Sequence, residues 1–178
     1  LTHTLLLVST TQSLNQDHKN HTHYLNHLLK RQISMANKKF DFFVGTCVIE
    51  SEQMCMDVAG QLKEVFDQYD DINFTYKGSF DKANRSSRES FRGLGMDEGL
   101  KILQKVKDEY QLPVITDYHL PEQADQVASV VDTLQVPAFL CRQTDMIIAG
   151  AKACQKHNSR LKIKKGQFLA PTDTKNIV

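Results

Sequence analysis

Residues 72–87, INFTYKGSFDKANRSS, join an extended apolar run to a segment crowded with cations, hydroxyls and an amide. The run up to Lys77 is rich in β-branched and aromatic residues, which predicts a β-strand. Beyond it, Lys77 and Lys82 are compact point charges, Arg85 offers a planar fork of donors, and Asn84 adds a neutral donor. This set suits phosphate or carboxylate, so the stretch predicts a strand that ends in an anion-binding loop. A solvated basic loop is the alternative.

The same strand-then-polar pattern recurs along the chain from Phe40 onward. Amphipathic stretches separate the apolar runs, and this alternation predicts repeated βα units and an α/β fold with a parallel sheet. The predicted strands are 41–48, 72–77, 114–117, 138–141 and 161–164. Four helices are predicted: the first begins at Glu52 and has its apolar residues at Met54, Val58, Leu62 and Val65, and the second has them at Leu100, Leu103 and Val106. The third begins at Glu122 after Pro121, with Ala124, Val127 and Val131 facing inward. The fourth covers residues 144–153.

Ligands of parallel α/β folds gather at the carboxyl ends of the strands, where this chain is polar. Several cations at one rim repel one another unless an anion neutralises them. Salt bridges to Glu50, Asp81 and Asp117 are the alternative for part of the set. The residues predicted at this rim are Cys47, Glu50, Lys77, Ser79, Lys82, Asp117, His119, Arg142, Gln143, Lys164, Lys165 and Gln167.

The length, the net charge and the positions of the cysteines limit the kinds of protein that this chain could be. The chain has 178 residues, enough for one sizeable core but fewer than the roughly 250 of a typical α/β barrel. A net charge of +1 indicates no general preference for nucleic acid or membranes. The apolar run 5–8 is too short for a signal peptide or a membrane span. The cysteines form no C-x-x-C pair, so we expect a soluble protein of the reducing cytosol.

Residues 1–34 differ from the rest, being rich in His, Asn, Thr and Gln without a clear period. We interpret them as a disordered or non-native N-terminal extension, and residues 35–178 as a separate domain whose folded part begins near Phe40. Histidines in this segment suggest a metal site, but a flexible tail with chance histidines is favoured.

Several long motifs closely resemble the 3-deoxy-D-manno-octulosonate 8-phosphate synthase family. The related 3-deoxyheptulosonate (DAHP) synthase family is the alternative, and the unbroken SFDKANRSS of 79–87 favours the octulosonate enzymes. The resemblance runs from about Phe40 to the last residue. Its motifs are CVIES at 47–51, KGSFDKANRSS at 77–87, SFRG at 90–93, Thr116-Asp117 with His119, PAFLCRQTD at 137–145 and KKGQFLAP at 164–171.

The resemblance implies a (β/α)8 barrel, of which this chain holds about the first five βα units. It also implies the condensation of phosphoenolpyruvate with arabinose 5-phosphate, with release of phosphate, in the cytoplasmic route to lipopolysaccharide, by a homo-oligomer that is a tetramer at full length. The implied phosphoenolpyruvate ligands are Lys77, Ser79, Lys82, Arg142 and Lys164. The implied sugar-phosphate ligands are Asn84, Arg85 and Ser86, with Gln143 also binding substrate. Asp117 and His119 are implied in proton-handling or supporting roles, and a structural hydrogen bond is the alternative for each.

Cys47 is implied as a metal ligand, because metal-dependent members of the family carry cysteine here and metal-independent ones carry asparagine. As a thiolate, Cys47 can bind zinc, iron or another divalent ion such as manganese, whereas the residue alone favours a buried thiol. The remaining ligands, a histidine, a glutamate and an aspartate, belong to later strands than this chain contains. We therefore expect an N-terminal piece that is inactive alone. Thr46 departs from the proline usual before this cysteine.

Two further hypotheses remain open. One is a non-catalytic remnant that binds phosphorylated metabolites or assembles with intact subunits. The other is a Schiff-base aldolase that uses Lys77, Lys82 or Lys164 as its imine-forming amine.

Overall fold

The computed structural model describes residues 39–177, in which parallel strands alternate with helices. The predicted extension at 1–34, with its histidines, lies outside the described residues. The strands are β1 (Phe40–Val48), β2 (Ile72–Ser79), β3 (Val114–Asp117), β4 (Thr133–Val136) and β5 (Arg160–Ile163). The helices are α1 (Glu52–Phe66), α2 (Met96–Tyr110), α3 (Ala124–Ala128) and α4 (Thr144–His157), with 3-10 turns at Pro121–Gln123, Ala138–Leu140 and Pro171–Asn176.

The strands form one sheet in the order β1-β2-β3-β4-β5, and each neighbouring pair is parallel. In a doubly wound sheet the strand order reverses at a switch point, whereas in a barrel wall it follows the chain. The observed order is that of a barrel wall. It confirms the predicted α/β class, with five parallel strands and α-helices between them.

The first helix begins where the sequence predicts, but it turns a partly different face to the sheet. Ser51 caps it, with its Oγ accepting a hydrogen bond from the amide of Met54 at 3.2 Å. Met54 and Val65 were expected to face inward and are instead exposed, while Cys55 and Ala59 are fully buried. Small side chains let the helix approach the sheet closely, so the larger residues lie on its flanks. The α2 face is confirmed, because Leu100, Leu103 and Val106 are all buried.

The predicted fourth strand is wrong. Residues 138–141 form a 3-10 turn and its end, and the strand is β4, four residues long and ending at Val136. Thr133 and Gln135 alternate with apolar residues in β4, so it lacks the continuous apolar run expected of a buried strand. Pro137 follows directly and has no amide to continue a ladder. The third helix also ends early, at Ala128, and the fourth continues to His157.

Alternation along the strands separates the apolar core from a polar inner face. Phe74, Tyr76, Val114 and Leu134 belong to the core beneath the helices. The intervening residues line the opposite side of the sheet, which we call the inner face. Its members at the strand ends include Lys77, Ser79, Asp117, Gln135, Lys162 and Lys164. Among the described residues, no helix combines the length and apolarity that a membrane crossing requires.

Candidate anion-binding site

A cavity of about 300 Å³ opens at the carboxyl ends of the strands. We call it the rim cavity. Every strand contributes to it, either through its last residues or through the loop that follows. Most of the predicted site residues meet here, namely Cys47, Lys77, Lys82, Asn84, Arg85, Asp117, His119 and Lys164.

The other predicted site residues do not line the rim cavity. Ser79 is fully buried beneath it, and Ser86 is exposed on the loop after β2. Arg142 lines a separate cavity of about 510 Å³ beside Cys141 and the start of α4. Gln143 is exposed and directly precedes that helix. The substrate roles implied for these residues remain predictions.

A chain of hydrogen bonds fixes the floor of the rim cavity. The Lys82 Nζ donates to Ser79 Oγ at 2.9 Å, and that hydroxyl donates to Asp117 Oδ2 at 3.1 Å. Gln135 Nε2 donates to the other oxygen of Asp117. Only 8% of Asp117 is exposed, so these two donors satisfy a carboxylate that would be costly to bury alone. The arrangement holds Lys82 at the cavity wall.

Within the described part of the chain, no ion pair neutralises the lysines of the rim cavity. None of the salt bridges among the described residues includes Lys77, Lys82 or Lys164. Asp81, which was considered as a partner for them, pairs with Arg92 instead. Three ammonium groups around one hydrogen-bonded carboxylate leave an excess of positive charge, which an anion of more than one charge would neutralise.

The loop that carries Lys82 is clamped at its base. Arg92 donates to both oxygens of Asp81, at 2.8 and 2.5 Å, and its carbonyl accepts a hydrogen bond from the Lys82 amide at 2.6 Å. Gly93 closes the turn at φ +122°, where a Cβ would lie 2.3 Å from the Phe80 carbonyl oxygen. Only glycine fits that conformation and that space. The clamp orients residues 82–85 toward the rim cavity.

We expect Arg92→Met to destabilise the protein at neutral pH and much less in acid. The hydrogen bond from Arg92 holds the pKa of Asp81 below its ordinary value, so the pair stabilises the fold above about pH 4 and its contribution disappears as pH falls through the lowered pKa. Because 57% of the Arg92 side chain is exposed, solvent screens the pair and the expected loss at pH 7 is small.

Urea unfolding at pH 7 and pH 3 measures this effect. Lys63→Met is the control, since it removes an exposed ion pair with Asp67 at the C-terminal end of α1 and is expected to cost less than about 0.5 kcal/mol. An Arg92→Met loss that is equal at both pH values would contradict the role of the pair.

His119 contributes a neutral ring to the cavity wall. It packs edge-on against Phe80 at 6.1 Å and stacks with Phe139 at 6.5 Å between ring centroids. Burial lowers the pKa of His119, and the charges of Asp117 and Asp81 oppose that effect only in part. Its Nδ1 is buried without a hydrogen-bond partner among the described residues. The ring therefore has an unused hydrogen-bonding position at its Nδ1 atom.

Cys47 reaches the rim cavity from an irregular part of β1. The pairing with β2 shifts register between Val44 and Cys47, and Cys47 adopts φ +68°, which is unusual for a residue with a side chain. Thr46 lies behind it, with its hydroxyl 3.2 Å from that of Tyr76. Cys47 is exposed, contrary to the buried reading, whereas the other three cysteines are buried.

The described residues do not by themselves form a metal centre. Among them, no group of three or more His, Cys, Asp or Glu side chains is arranged to hold an ion. A structural or catalytic zinc site normally takes at least three protein ligands. Cys47 is thus a single candidate ligand beside a cluster of lysines, and its metal role remains a prediction.

Sequence reasoning missed Gln135, which fixes Asp117. The apolar run at 138–141 predicts a fourth strand later in the chain than β4, so this prediction does not assign the residues of β4 to the inner face. The available signal was an isolated polar residue between Leu134 and Val136, since such alternation places Gln135 on the face opposite to them.

The chain is similar to known proteins over most of its length. Residues 14–178 match the DAHP synthetase I family. Curated relatives named 2-dehydro-3-deoxyphosphooctonate aldolase come from Burkholderia multivorans (58% identical over 142 residues), Burkholderia cenocepacia (57% over 142) and Paraburkholderia xenovorans (58% over 142). Each alignment covers 80% of this chain and 48% of the relative, so the chain spans about half the length of these proteins. The match along nearly the whole chain means that this protein belongs to the DAHP synthetase I family.

Proposed function

We propose that this chain supplies the first βα units of a transferase that condenses phosphoenolpyruvate with D-arabinose 5-phosphate. The products are 3-deoxy-D-manno-octulosonate 8-phosphate and inorganic phosphate, and the pathway is lipopolysaccharide biosynthesis in the cytoplasm. The observation that carries the proposal is the rim cavity, where Lys77, Lys82 and Lys164 have no ion-pair partner among the described residues. The names of the relatives, which refer to a phosphorylated 3-deoxy sugar acid, support this choice over the heptulosonate reaction.

The proposed ligands divide between two anionic substrates. Phosphoenolpyruvate carries a phosphate and a carboxylate, and Lys77, Lys82 and Lys164 surround the volume that these groups would occupy. Asn84 and Arg85 lie on the outer loop of the same cavity. Their neutral and forked donors suit the phosphate of the sugar. One cavity thereby holds the two reactants close together, which removes much of the entropic barrier to their reaction.

The proposed chemistry joins two carbons and releases phosphate. The alkene carbon of phosphoenolpyruvate attacks the sugar aldehyde, water adds to the cationic carbon that develops, and the carbon–oxygen bond to phosphate breaks. The lysines stabilise negative charge on the aldehyde oxygen and on the departing phosphate. His119 Nδ1 is proposed to accept a proton from the attacking water, and the alkoxide formed from the aldehyde takes up a proton to become a hydroxyl. Asp117 keeps Lys82 in place through Ser79.

Three finer parts of the proposal concern the complete enzyme. A divalent metal would use Cys47 as one ligand, and the described residues offer no complete set around it. We also propose a homo-oligomer, a tetramer in the complete protein, with no nucleic-acid or membrane partner. The 178-residue chain is proposed to bind phosphoenolpyruvate but to be inactive alone.

Calorimetry with phosphoenolpyruvate and a phosphate-release assay with and without arabinose 5-phosphate test the proposal. We expect the purified chain to bind phosphoenolpyruvate and to release no phosphate. Absence of binding would overturn the proposed function, whereas sugar-dependent phosphate release would overturn only the inactivity of the chain. Borohydride trapping with a carbonyl substrate is expected to give no adduct, and a stable adduct would favour the Schiff-base aldolase.

A further inference from the structure

Lys162 lies on the inner face of the sheet, beneath the rim cavity. It is on β5 two residues before Lys164, so the two side chains share a face and their Cα atoms lie about 6.6 Å apart along the strand. Its Nζ lies 3.6 Å from the ring centroid of Phe43 on β1. These are the outermost strands of the sheet, so the contact crosses the inner face from one edge to the other.

No carboxylate of residues 39–177 forms a salt bridge with Lys162. None of the salt bridges among the described residues includes it. Burial and then the charges of Lys77 and Lys164 lower its pKa, and Asp117 alone opposes them. Both oxygens of Asp117 already accept hydrogen bonds, from Ser79 and Gln135. The Phe43 ring compensates for lost hydration but brings no negative charge.

The electrostatic potential in the rim cavity is therefore more positive than the residues that line it indicate. Lys77 and Lys164 line the rim cavity, and Lys162 adds a charge one layer deeper that acts on both of them. A lysine side chain has a flexible four-carbon stem, so the ammonium group of Lys162 can move toward a ligand in the rim cavity. Its electrostatic contribution grows with the ligand's charge, which favours phosphate esters over singly charged acids.

We propose that Lys162 is a further anion-binding residue of this site, a floor cation that strengthens binding of multiply charged phosphate compounds such as phosphoenolpyruvate. The proposal rests on the proposed function, because it takes that compound as the ligand. Nothing in the sequence motifs pointed to Lys162. Its role follows from the curvature that brings β5 opposite β1.

The test compares charge removal at the floor with charge removal elsewhere. We expect Lys162→Met to weaken phosphoenolpyruvate binding about tenfold by calorimetry, which corresponds to about 1.4 kcal/mol. The expected loss for pyruvate, which lacks the phosphate, is smaller. Lys162→Arg keeps the charge and is expected to bind within about twofold of wild type. Lys152→Met removes an exposed charge on α4 and is expected to change nothing.

Phe43→Leu separates charge from packing, since it removes the ring contact and keeps the ammonium. We expect it to lower the melting temperature while it retains most of the phosphoenolpyruvate affinity. The proposal is overturned if Lys162→Met binds like wild type, or if Phe43→Leu loses as much affinity as Lys162→Met. If Lys162→Met fails to fold, Lys162→Gln against Lys162→Arg gives the same comparison. Failure of the wild-type chain to bind phosphoenolpyruvate would instead overturn the proposed function.

Discussion

Lys82→Met is expected to weaken phosphoenolpyruvate binding about 100-fold, equivalent to about 2.7 kcal/mol. The substitution removes an ammonium group from the cavity wall together with the hydrogen bonds that it donates to the ligand. Hydrogen bonds that involve a charged group contribute roughly 1.5–3 kcal/mol each. In wild type the Lys82 Nζ is already oriented by Ser79 Oγ at 2.9 Å, so little entropy is lost when a ligand binds.

Two controls make the Lys82 result interpretable. Lys101→Met removes a charge from the exposed face of α2, where the nearest carboxylate is Glu98 at 3.7 Å, and is expected to bind normally. Ser79→Ala removes the orienting hydroxyl but keeps the ammonium, so we expect a loss of about tenfold at most. If Lys82→Met bound phosphoenolpyruvate within threefold of wild type, the rim cavity would not be the anion site that we propose.

The parts of the site that come from the end of β2 and the loop after it were predictable from the sequence alone. Lys77, Lys82, Asn84 and Arg85 come from one short segment directly after an extended apolar run. In a parallel sheet such a segment lies at the carboxyl edge, where ligands gather. No long-range information was needed, and the structure places all four residues at the same cavity.

The surroundings of β4 were not predictable from apolar runs. Leu134 and Val136 face the core, while Gln135 faces Asp117. The apolar residues of this strand are therefore interrupted by a polar one and do not form a continuous run. The run at 138–141 is more apolar, yet Pro137 before it stops the ladder and the chain turns into a 3-10 segment. A fourth strand at 138–141 would end next to Arg142 and place that residue at the rim. The observed 3-10 turn instead brings Arg142 to a separate cavity.

Contacts between the outer strands of the sheet could not be predicted from local sequence patterns, for a different reason. Lys162 meets Phe43 only because the sheet curves far enough to bring its outer strands face to face. Sheet curvature arises from the summed twist of the strands and from bulges. Neither quantity can be read from the residues of β5, so the floor of the site required the structure.

The irregular end of β1 supplies the second large prediction, because it brings β1 unusually close to β2. A Cβ built on Gly45 would lie 2.1 Å from the carbonyl oxygen of Lys77, which is backbone and cannot rotate away. We expect Gly45→Ala to push the strands apart and to lower the unfolding free energy by roughly 3 kcal/mol. The same shift would displace Cys47 and Lys77 and weaken phosphoenolpyruvate binding. Urea unfolding and calorimetry measure the two effects.

Gly60→Ala is the matched control for Gly45→Ala, since it makes the same chemical change within α1. Its added Cβ would meet the hydroxyl end of the Tyr110 side chain at 3.1 Å, and a flexible side chain can move by a few tenths of an ångström. Alanine also favours the helix by up to about 1 kcal/mol over glycine, so the expected change in unfolding free energy stays within about 1 kcal/mol. If Gly45→Ala were as stable as Gly60→Ala, β1 would tolerate a wider separation from β2. The close approach would then not be what positions Cys47 and Lys77 at the rim cavity.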